Sequence, residues 1–255
     1  MNPKYDEGLK KLLGIQKQIK DIHPALSNLY PVAFAEDSVL YIFESDEPGK
    51  FEFRKSEIAI SFIPPKVLAA FPLRENDYKM TCLIHSGVFD TDEGYVFIFH
   101  EFFHCHQFHT VELDLKAKLD INTKAMKEQN WMWELNYPFP YEDSVFTNTY
   151  SALLKALSEK NYEQANILRN ELKQNLNQDD YDYMTWQEWK EGSARWIENR
   201  IRARLGIEEN HSGKDVPFNR VTFYEGGSSI IEMIVDTSPE TIVDLEKLYQ
   251  KIKYE

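Results

Sequence analysis

The pattern of apolar positions changes twice along the chain, and the first change follows a short helical stretch. Residues 5–22 place leucine and isoleucine at helical spacing among lysines, which predicts an amphipathic helix. Short apolar runs follow, rich in the β-branched and aromatic residues that favour strands. The third run stops at Pro64 and Pro65, because proline cannot extend a strand ladder. Strands are predicted at residues 38–44, 51–53, 58–63 and 78–84.

The second change comes near residue 95, where the pattern becomes helical. Residues 95–109 are predominantly apolar, which predicts a buried helix although β-prone residues open it. Residues 144–176 predict a helical hairpin that turns near Asn161. Because strands come first and helices after, we expect an α+β fold. Further helices are predicted at residues 111–128, 183–205, 224–234 and 239–252.

The same change of pattern divides the chain at residue 92. Residues 1–92 are predicted to form a leading helix and a small mixed sheet, and residues 93–255 a helical portion. A chain of 255 residues has room for one large domain or two small ones. We expect the two portions to form one continuous unit.

Composition excludes several classes of partner. The formal net charge of −13 repels phosphate backbones, so the sequence disfavours nucleic-acid binding. No apolar run reaches the length of about 20 residues that crosses a bilayer, and the N-terminus lacks the apolar stretch of a secretory signal. Cys82 and Cys105 are too few for a disulfide framework, and reduced thiols fit a reducing compartment. We therefore expect a cytoplasmic protein that binds neither nucleic acid nor membrane.

The candidate chemistry lies in the predicted helix at residues 95–109, which contains the motif His-Glu-Phe-Phe-His at residues 100–104. Residues four apart on an α-helix share a face, so both imidazoles can reach one metal ion. Glu101 lies one step around the helix, where its carboxylate can take a proton from a water on that ion. The alternative is a pair of core histidines with ordinary hydrogen-bond partners.

A zinc site of this kind needs a third protein ligand. The helix predicted at residues 183–205 carries Glu191 and Glu198 on one face, two turns apart. Gly192 and Ala194 are small, which would let this helix approach the motif helix closely around a metal. Glu188 lies three residues before Glu191 on the same face and is the competing third ligand.

Two segments together resemble a known enzyme family. Residues 96–104 and the sequence Glu-Gly-Ser-Ala at residues 191–194 are similar to the gluzincin pattern of zinc metallopeptidases, especially its aminopeptidase-like version. The 86 residues between the two segments, 105 to 190, exceed the usual spacing in that family, and the hairpin at residues 144–176 accounts for the excess. The resemblance implies a zincin-like fold and a bound zinc ion. It also implies the site residues: ligands His100, His104 and Glu191, general base Glu101, and Glu198 as a carboxylate that supports a ligand.

A hydrolase of this kind often needs a donor for the oxyanion that forms at the attacked carbonyl. Tyr224 is our choice, because it opens a predicted helix beside Gly226 and Gly227, which allow close approach. In similar zincins a tyrosine or histidine from the C-terminal helical part has this role. Arg220 and His211 are the alternatives, and Tyr224 could equally be a core aromatic residue.

The resemblance therefore implies a zinc-dependent hydrolase, specifically a metallopeptidase that acts on a peptide or small amide substrate. Two other functions stay open. The first is a zincin-fold protein whose metal serves binding or structure without catalysis. The second is a metal-free helical protein that uses the hairpin at residues 144–176 as a docking arm.

Overall fold

The computed structural model describes residues 3–45, 49–60, 63–64 and 66–253. It is an α+β structure with a five-stranded mixed sheet in the N-terminal part and a mostly helical C-terminal part, as the order of the sequence patterns predicts. Internal contacts define two compact units. By this criterion the motif helix belongs with the sheet, although the sequence pattern separates it from residues 1–92. The first unit comprises Met1–Thr110 and Ile197–Glu209, and the second comprises Val111–Trp196 and Asn210–Glu255.

The first unit consists of a helix, a sheet and the motif helix. Helix α1, Pro3–Ile19, confirms the predicted N-terminal helix. The strands are β1 Val32–Glu36, β2 Val39–Glu44, β3 Glu52–Ile58, β4 Leu68–Leu73 and β5 Lys79–Ile84. Their order is β3-β2-β1-β5-β4, with β1 and β5 parallel and the other neighbours antiparallel. Helix α2, Asp92–Gln107, follows and packs against β4 and β5.

Both faces of the sheet are covered by apolar side chains. On one face the Tyr5 ring of α1 stacks on Phe34 of β1, with 4.2 Å between ring centroids, and meets Phe43 of β2 edge-on. Neighbouring residues of a strand point to opposite faces, so Ala33 faces the other side. The buried cluster there comprises Ala33, Leu40, Ile42, Leu73 and Leu83.

The strand predictions are partly wrong. Strands β2 and β5 lie where the sequence predicts them. The runs at residues 51–53 and 58–63 are instead the single strand β3; residues 59–60 lie outside it, and residues 61, 62 and 65 are not among the described residues. Strands β1 and β4 are not predicted at all. The apolar pattern does not predict the middle of β3, because β3 is an edge strand that carries charged, exposed side chains.

Helix α2 forms despite its β-prone start because its first turn is well capped. The Thr91 hydroxyl accepts a hydrogen bond from the Gly94 amide at 3.2 Å, and Asp92 and Glu93 favour the positive end of the helix dipole. Lys11 of α1 forms an ion pair with Asp92 at 2.7 Å. The predicted buried helix is confirmed, and burial of most of its side chains explains its apolar composition.

A π-helical turn, Phe108–Glu112, follows α2. The helix predicted at residues 111–128 is wrong as a single element, because the extended backbone of Leu119 separates two shorter helices. The hairpin predicted at residues 144–176 is confirmed. The helices of this region are α3 Leu113–Ala117, α4 Asp120–Lys127, α5 Trp133–Asn136, α6 Ser144–Ser158 and α7 Tyr162–Asn175.

Helix α8, Gln178–Leu205, is one continuous element that contributes to both units. It confirms the helix predicted at residues 183–205, and its side chains are mostly buried from Asp180 to Arg202. The helix predicted at residues 239–252 is broken into two elements. Within the described ranges, no helix combines the length and apolar character that a membrane span requires. The elements after α8 are α9 Thr222–Thr237, a 3-10 turn Pro239–Val243, and α10 Leu245–Lys253.

Gly192 of α8 serves a close contact with α9. A Cβ atom on Gly192 would lie 2.5 Å from the Cα atom of Gly227, and a Cβ atom on Gly227 would collide with the carbonyl of Glu188. Both glycines are therefore required by the packing of α8 on α9. The prediction that Gly192 makes room for the motif helix is wrong. The helix that packs closely against Gly192 is α9.

Candidate metal centre

The two motif histidines converge on one point. His100 and His104 lie one turn apart on α2 and are both buried. Their Nε2 atoms are 3.1 Å apart, and the two rings are nearly perpendicular, with 4.8 Å between centroids. Helical spacing alone brings the two side chains to the same face, as the sequence predicts.

The outer nitrogens of both rings lie against oxygen acceptors. His100 Nδ1 is 3.2 Å from Glu198 Oε2 of α8, and His104 Nδ1 is 2.7 Å from Gln107 Oε1 of α2. Carboxylate and amide oxygens only accept hydrogen bonds, so each Nδ1 carries the hydrogen. The Nε2 atoms are then the ring nitrogens that face each other, and both can bind a cation placed between them.

Glu191 of α8 supplies a third donor. One ligand atom from each of His100, His104 and Glu191 lies within 4.8 Å of the other two. Donors about 2.0–2.2 Å from one tetrahedral zinc ion lie about 3.4 Å apart, so side-chain adjustments on the order of 1 Å would bring all three to one ion. Two imidazoles and one carboxylate form the donor set of a zinc site that keeps an open position. The residues present therefore fit a zinc ion.

Glu188, the competing third ligand, is committed elsewhere. Its carboxylate is fully buried, and Arg169 Nη1 donates to both of its oxygens at 2.8 and 2.7 Å. The Tyr150 hydroxyl donates to the same carboxylate at 2.8 Å. The group of three donors contains Glu191 and not Glu188. A side chain on another helix thus separates two glutamates that the sequence pattern treats alike.

Glu198 holds His100 in position. Its carboxylate is fully buried, and Arg202 Nε donates to its second oxygen at 2.9 Å. Arg202 is fixed in turn, because its Nη1 donates to the Glu208 carbonyl at 3.1 Å. These hydrogen bonds keep the Glu198 carboxylate on the outer nitrogen of His100. The carboxylate orients the ring and raises the basicity of Nε2.

We predict that Glu198→Gln weakens zinc binding about 10- to 100-fold. The amide keeps the shape of the side chain but loses the charge that supports His100. The affinity is measured by competition with a chromogenic zinc chelator. Glu208→Gln, an exposed glutamate close in sequence, is the matched control and should bind zinc like the wild type. Equal affinities of Glu198→Gln and wild type would contradict the supporting role.

Glu101, the predicted base, lies beside His100 on α2, is half-buried, and is outside the three-donor group. Its carboxylate affects the pKa of Cys82 in β5. Burial raises the pKa of the Cys82 thiol well above its usual value, and the Glu101 carboxylate raises that pKa further. Cys82 therefore stays protonated and acts as a small apolar side chain near Glu101.

Arg220 lies beside the third donor, Glu191, and Tyr224 lies beside Arg220. Tyr224 is in the first turn of α9, and the guanidinium groups of Arg220 and Arg195 lie 5.2 and 5.6 Å from its ring centroid. Arg220 Nη1 is 3.3 Å from Glu191 Oε1. His211, the other alternative, is on the loop before α9 and contacts Glu225 Oε1 at 3.0 Å.

The sequence reasoning misses one residue of this centre, Gln107, and one contact of Arg220, which it names only as an alternative to Tyr224. Gln107 fixes the tautomer of His104, and its position three residues later on the same helix is a signal that could have identified it. Arg220 lies on a loop and contacts Glu191, and no residue spacing in the sequence predicts that contact.

Comparisons with known proteins do not assign the chain to a family. A scan against protein-family models, a search of curated proteins and a search of solved structures each found no match. The gluzincin resemblance therefore rests on residues 96–104 and 191–194. Any function must be argued from the arrangement of these side chains.

Proposed function

We propose that the protein is a zinc-dependent hydrolase of zincin-like fold that cleaves peptide bonds. The observation that carries the proposal is the pair of Nε2 atoms of His100 and His104, 3.1 Å apart, with both outer nitrogens held by oxygen acceptors. Glu191 completes the donor set. Two converging imidazole nitrogens and a carboxylate are the donor set of a cation site.

The proposed reaction uses the residues of the chain as follows. His100, His104 and Glu191 would hold a zinc ion, which would supply Lewis acidity to a water and to the substrate carbonyl. Glu101 accepts a proton from the attacking water and later donates it to the leaving amine. Tyr224 donates a hydrogen bond to the oxyanion. Glu198 and Gln107 keep the motif histidines in the tautomer that leaves Nε2 available for the metal.

The state of the cysteines supports a location in a reducing compartment. Cys82 and Cys105 are both buried, and neither is part of a disulfide within the described residues. Buried free thiols are typical of cytosolic proteins, in which disulfides are rare. We therefore propose that the protein acts in the cytoplasm, on a peptide or a small amide.

Zinc analysis of purified protein tests the metal site. We expect one zinc ion per chain, and His104→Ala should lower zinc affinity by at least about 100-fold, since loss of a ligand costs more than loss of a supporting residue. His109→Ala is the matched control, because His109 follows the same helix but is exposed and stacks on Tyr30. A chain without bound metal, or a His104→Ala variant with unchanged affinity, would contradict the site.

Hydrolysis of a peptide library by the zinc-loaded chain tests the reaction. Activity should disappear with a chelator and return with added zinc. A chain that binds zinc through these residues and cleaves no member of the library would be a metal-binding protein without hydrolase activity, and the reaction would be withdrawn.

A further inference from the structure

Most acidic side chains near Glu191 in the second unit are already neutralised or occupied. A substrate ammonium group, such as a peptide N-terminus, would need a carboxylate partner. Glu188 is paired with Arg169, and Glu225 is buried and contacts His211. Lys190 forms ion pairs with Glu112 at 2.8 Å and with Glu134 at 2.9 Å. The carboxylates around this part of α8 are therefore poorly placed to recognise a cation.

Arg220 differs from the buried arginines of the structure. Its side chain is 28% exposed, whereas that of Arg169 is 2% exposed. Arg169 donates to its carboxylate at 2.7 and 2.8 Å, but Arg220 Nη1 lies 3.3 Å from Glu191 and 3.5 Å from Gln187. Distances of this length correspond to weak hydrogen bonds. The Arg220 guanidinium therefore keeps capacity for a second anionic partner.

The surroundings of Arg220 favour a planar anion. The Arg220 guanidinium lies against the Tyr224 ring and donates a hydrogen bond to the neutral Tyr224 hydroxyl, so that contact does not use up its capacity for an anion. Arg195, the second guanidinium near that ring, is buried and donates to the carbonyls of Asn210 and Ser212. A guanidinium presents its N–H groups as a fork that matches a carboxylate. In a chain of net charge −13, an anionic substrate needs a local cation of this kind.

We infer that Arg220 binds a free carboxylate of the substrate, so that the proposed hydrolase cleaves amides whose leaving residue ends in a carboxylate. The inference rests on the proposed function and names its substrate class: C-terminal residues of peptides and N-acyl amino acids. Arg220 holds Glu191 with one edge of its guanidinium and the substrate carboxylate with the other. Tyr224 keeps its proposed role as the donor to the oxyanion.

Two substrates that differ only at the C-terminus test this inference. N-acetyl-Phe-Leu carries a free carboxylate, and N-acetyl-Phe-Leu-amide does not. For the zinc-loaded wild type we expect kcat/KM to be about 100-fold higher for the acid, since a charge-assisted bidentate contact is lost in the amide. In Arg220→Gln the preference should fall close to one, mainly through loss of activity on the acid. Arg220→Lys should retain part of it, because lysine keeps the charge but not the fork.

The matched control is Arg204→Gln, which removes an exposed arginine that pairs with Asp21 at the end of α8. It should keep the wild-type preference for the acid. Zinc affinity is measured for every variant. If Arg220→Gln loses zinc and loses both activities equally, Arg220 only positions Glu191 and the inference is overturned.

The remaining outcomes separate this inference from the proposed function. Equal cleavage of acid and amide by the wild type would overturn the carboxylate contact and leave the hydrolase intact. If the zinc-loaded wild type cleaves neither substrate nor any peptide in the library, the hydrolase fails. Calorimetric titration of N-acetyl-leucine and N-acetyl-leucinamide then decides the contact: the acid should bind more tightly to the wild type than to Arg220→Gln, and equal affinities would overturn it.

Discussion

Replacing Glu101 by glutamine should lower kcat/KM of the zinc-loaded protein by about 10²- to 10⁴-fold, the usual contribution of a general base. Glutamine keeps the size of the side chain but cannot accept the proton of the attacking water. Zinc affinity should stay at the wild-type value, because Glu101 lies outside the group of three donors. The measurement combines steady-state kinetics on N-acetyl-Phe-Leu with zinc competition on the same protein samples.

Glu93→Gln is the matched control, since Glu93 is an exposed glutamate in the first turn of the same helix. It should change neither the rate nor zinc affinity. A Glu101→Gln variant with full activity would remove Glu101 from the mechanism. A variant that instead loses zinc would show that Glu101 supports the site rather than acting as its base.

The part of the site that could be predicted from the sequence is the part that depends on one helix. His100 and His104 meet because residues four apart share a face, and this geometry holds wherever the helix lies. The capped start at Thr91 and the buried apolar residues make α2 a helix for local reasons. No contact with a distant segment is needed to predict this pair.

The sheet was harder to predict, because its strands differ in how far they are buried. Strands β2 and β5 are apolar and were predicted, whereas β3 is an exposed edge strand rich in charged residues. Strand β4 contains two alanines and Pro72, and proline is tolerated there because β4 is the other edge strand. A pattern that detects burial cannot detect a strand that is held mainly by backbone pairing.

The choice between Glu188 and Glu191 depends on a residue far away in the sequence. The two glutamates lie three residues apart, so helical periodicity gives them similar directions. Arg169 of α7 forms an ion pair with Glu188, whereas Glu191 belongs to the group of three donors, and a single sequence does not reveal that ion pair. The same holds for Gly192, whose neighbour Gly227 belongs to another helix.

Arg169→Met should destabilise the protein by about 3–5 kcal/mol, the usual effect of removing one member of a buried ion pair. Arg169 and Glu188 are both buried, and Arg169 Nη2 also donates to the Ile252 carbonyl at 2.6 Å. The variant leaves the Glu188 carboxylate in the interior with Tyr150 as its donor. Urea unfolding followed by circular dichroism measures the loss.

The destabilisation should grow with pH. Burial raises the pKa of Glu188, and the contact with Arg169 opposes that rise. Without Arg169 the folded-state pKa lies further above the unfolded value of about 4.3, so the folded state binds more protons. Stability is then greatest below the unfolded pKa and falls as pH rises through the folded pKa. The variant should accordingly lose more stability at pH 8 than at pH 5.

A second substitution distinguishes a structural pair from a metal ligand. Arg169→Met combined with Glu188→Met should recover most of the lost stability, because two apolar side chains can replace a buried ion pair at little cost. The double variant should also bind zinc with wild-type affinity, since Glu191 is the third donor. Lys155→Met, which removes an exposed partner of Glu159, is the control and should unfold like the wild type. Loss of zinc from the double variant would return Glu188 to the list of ligands and displace Glu191.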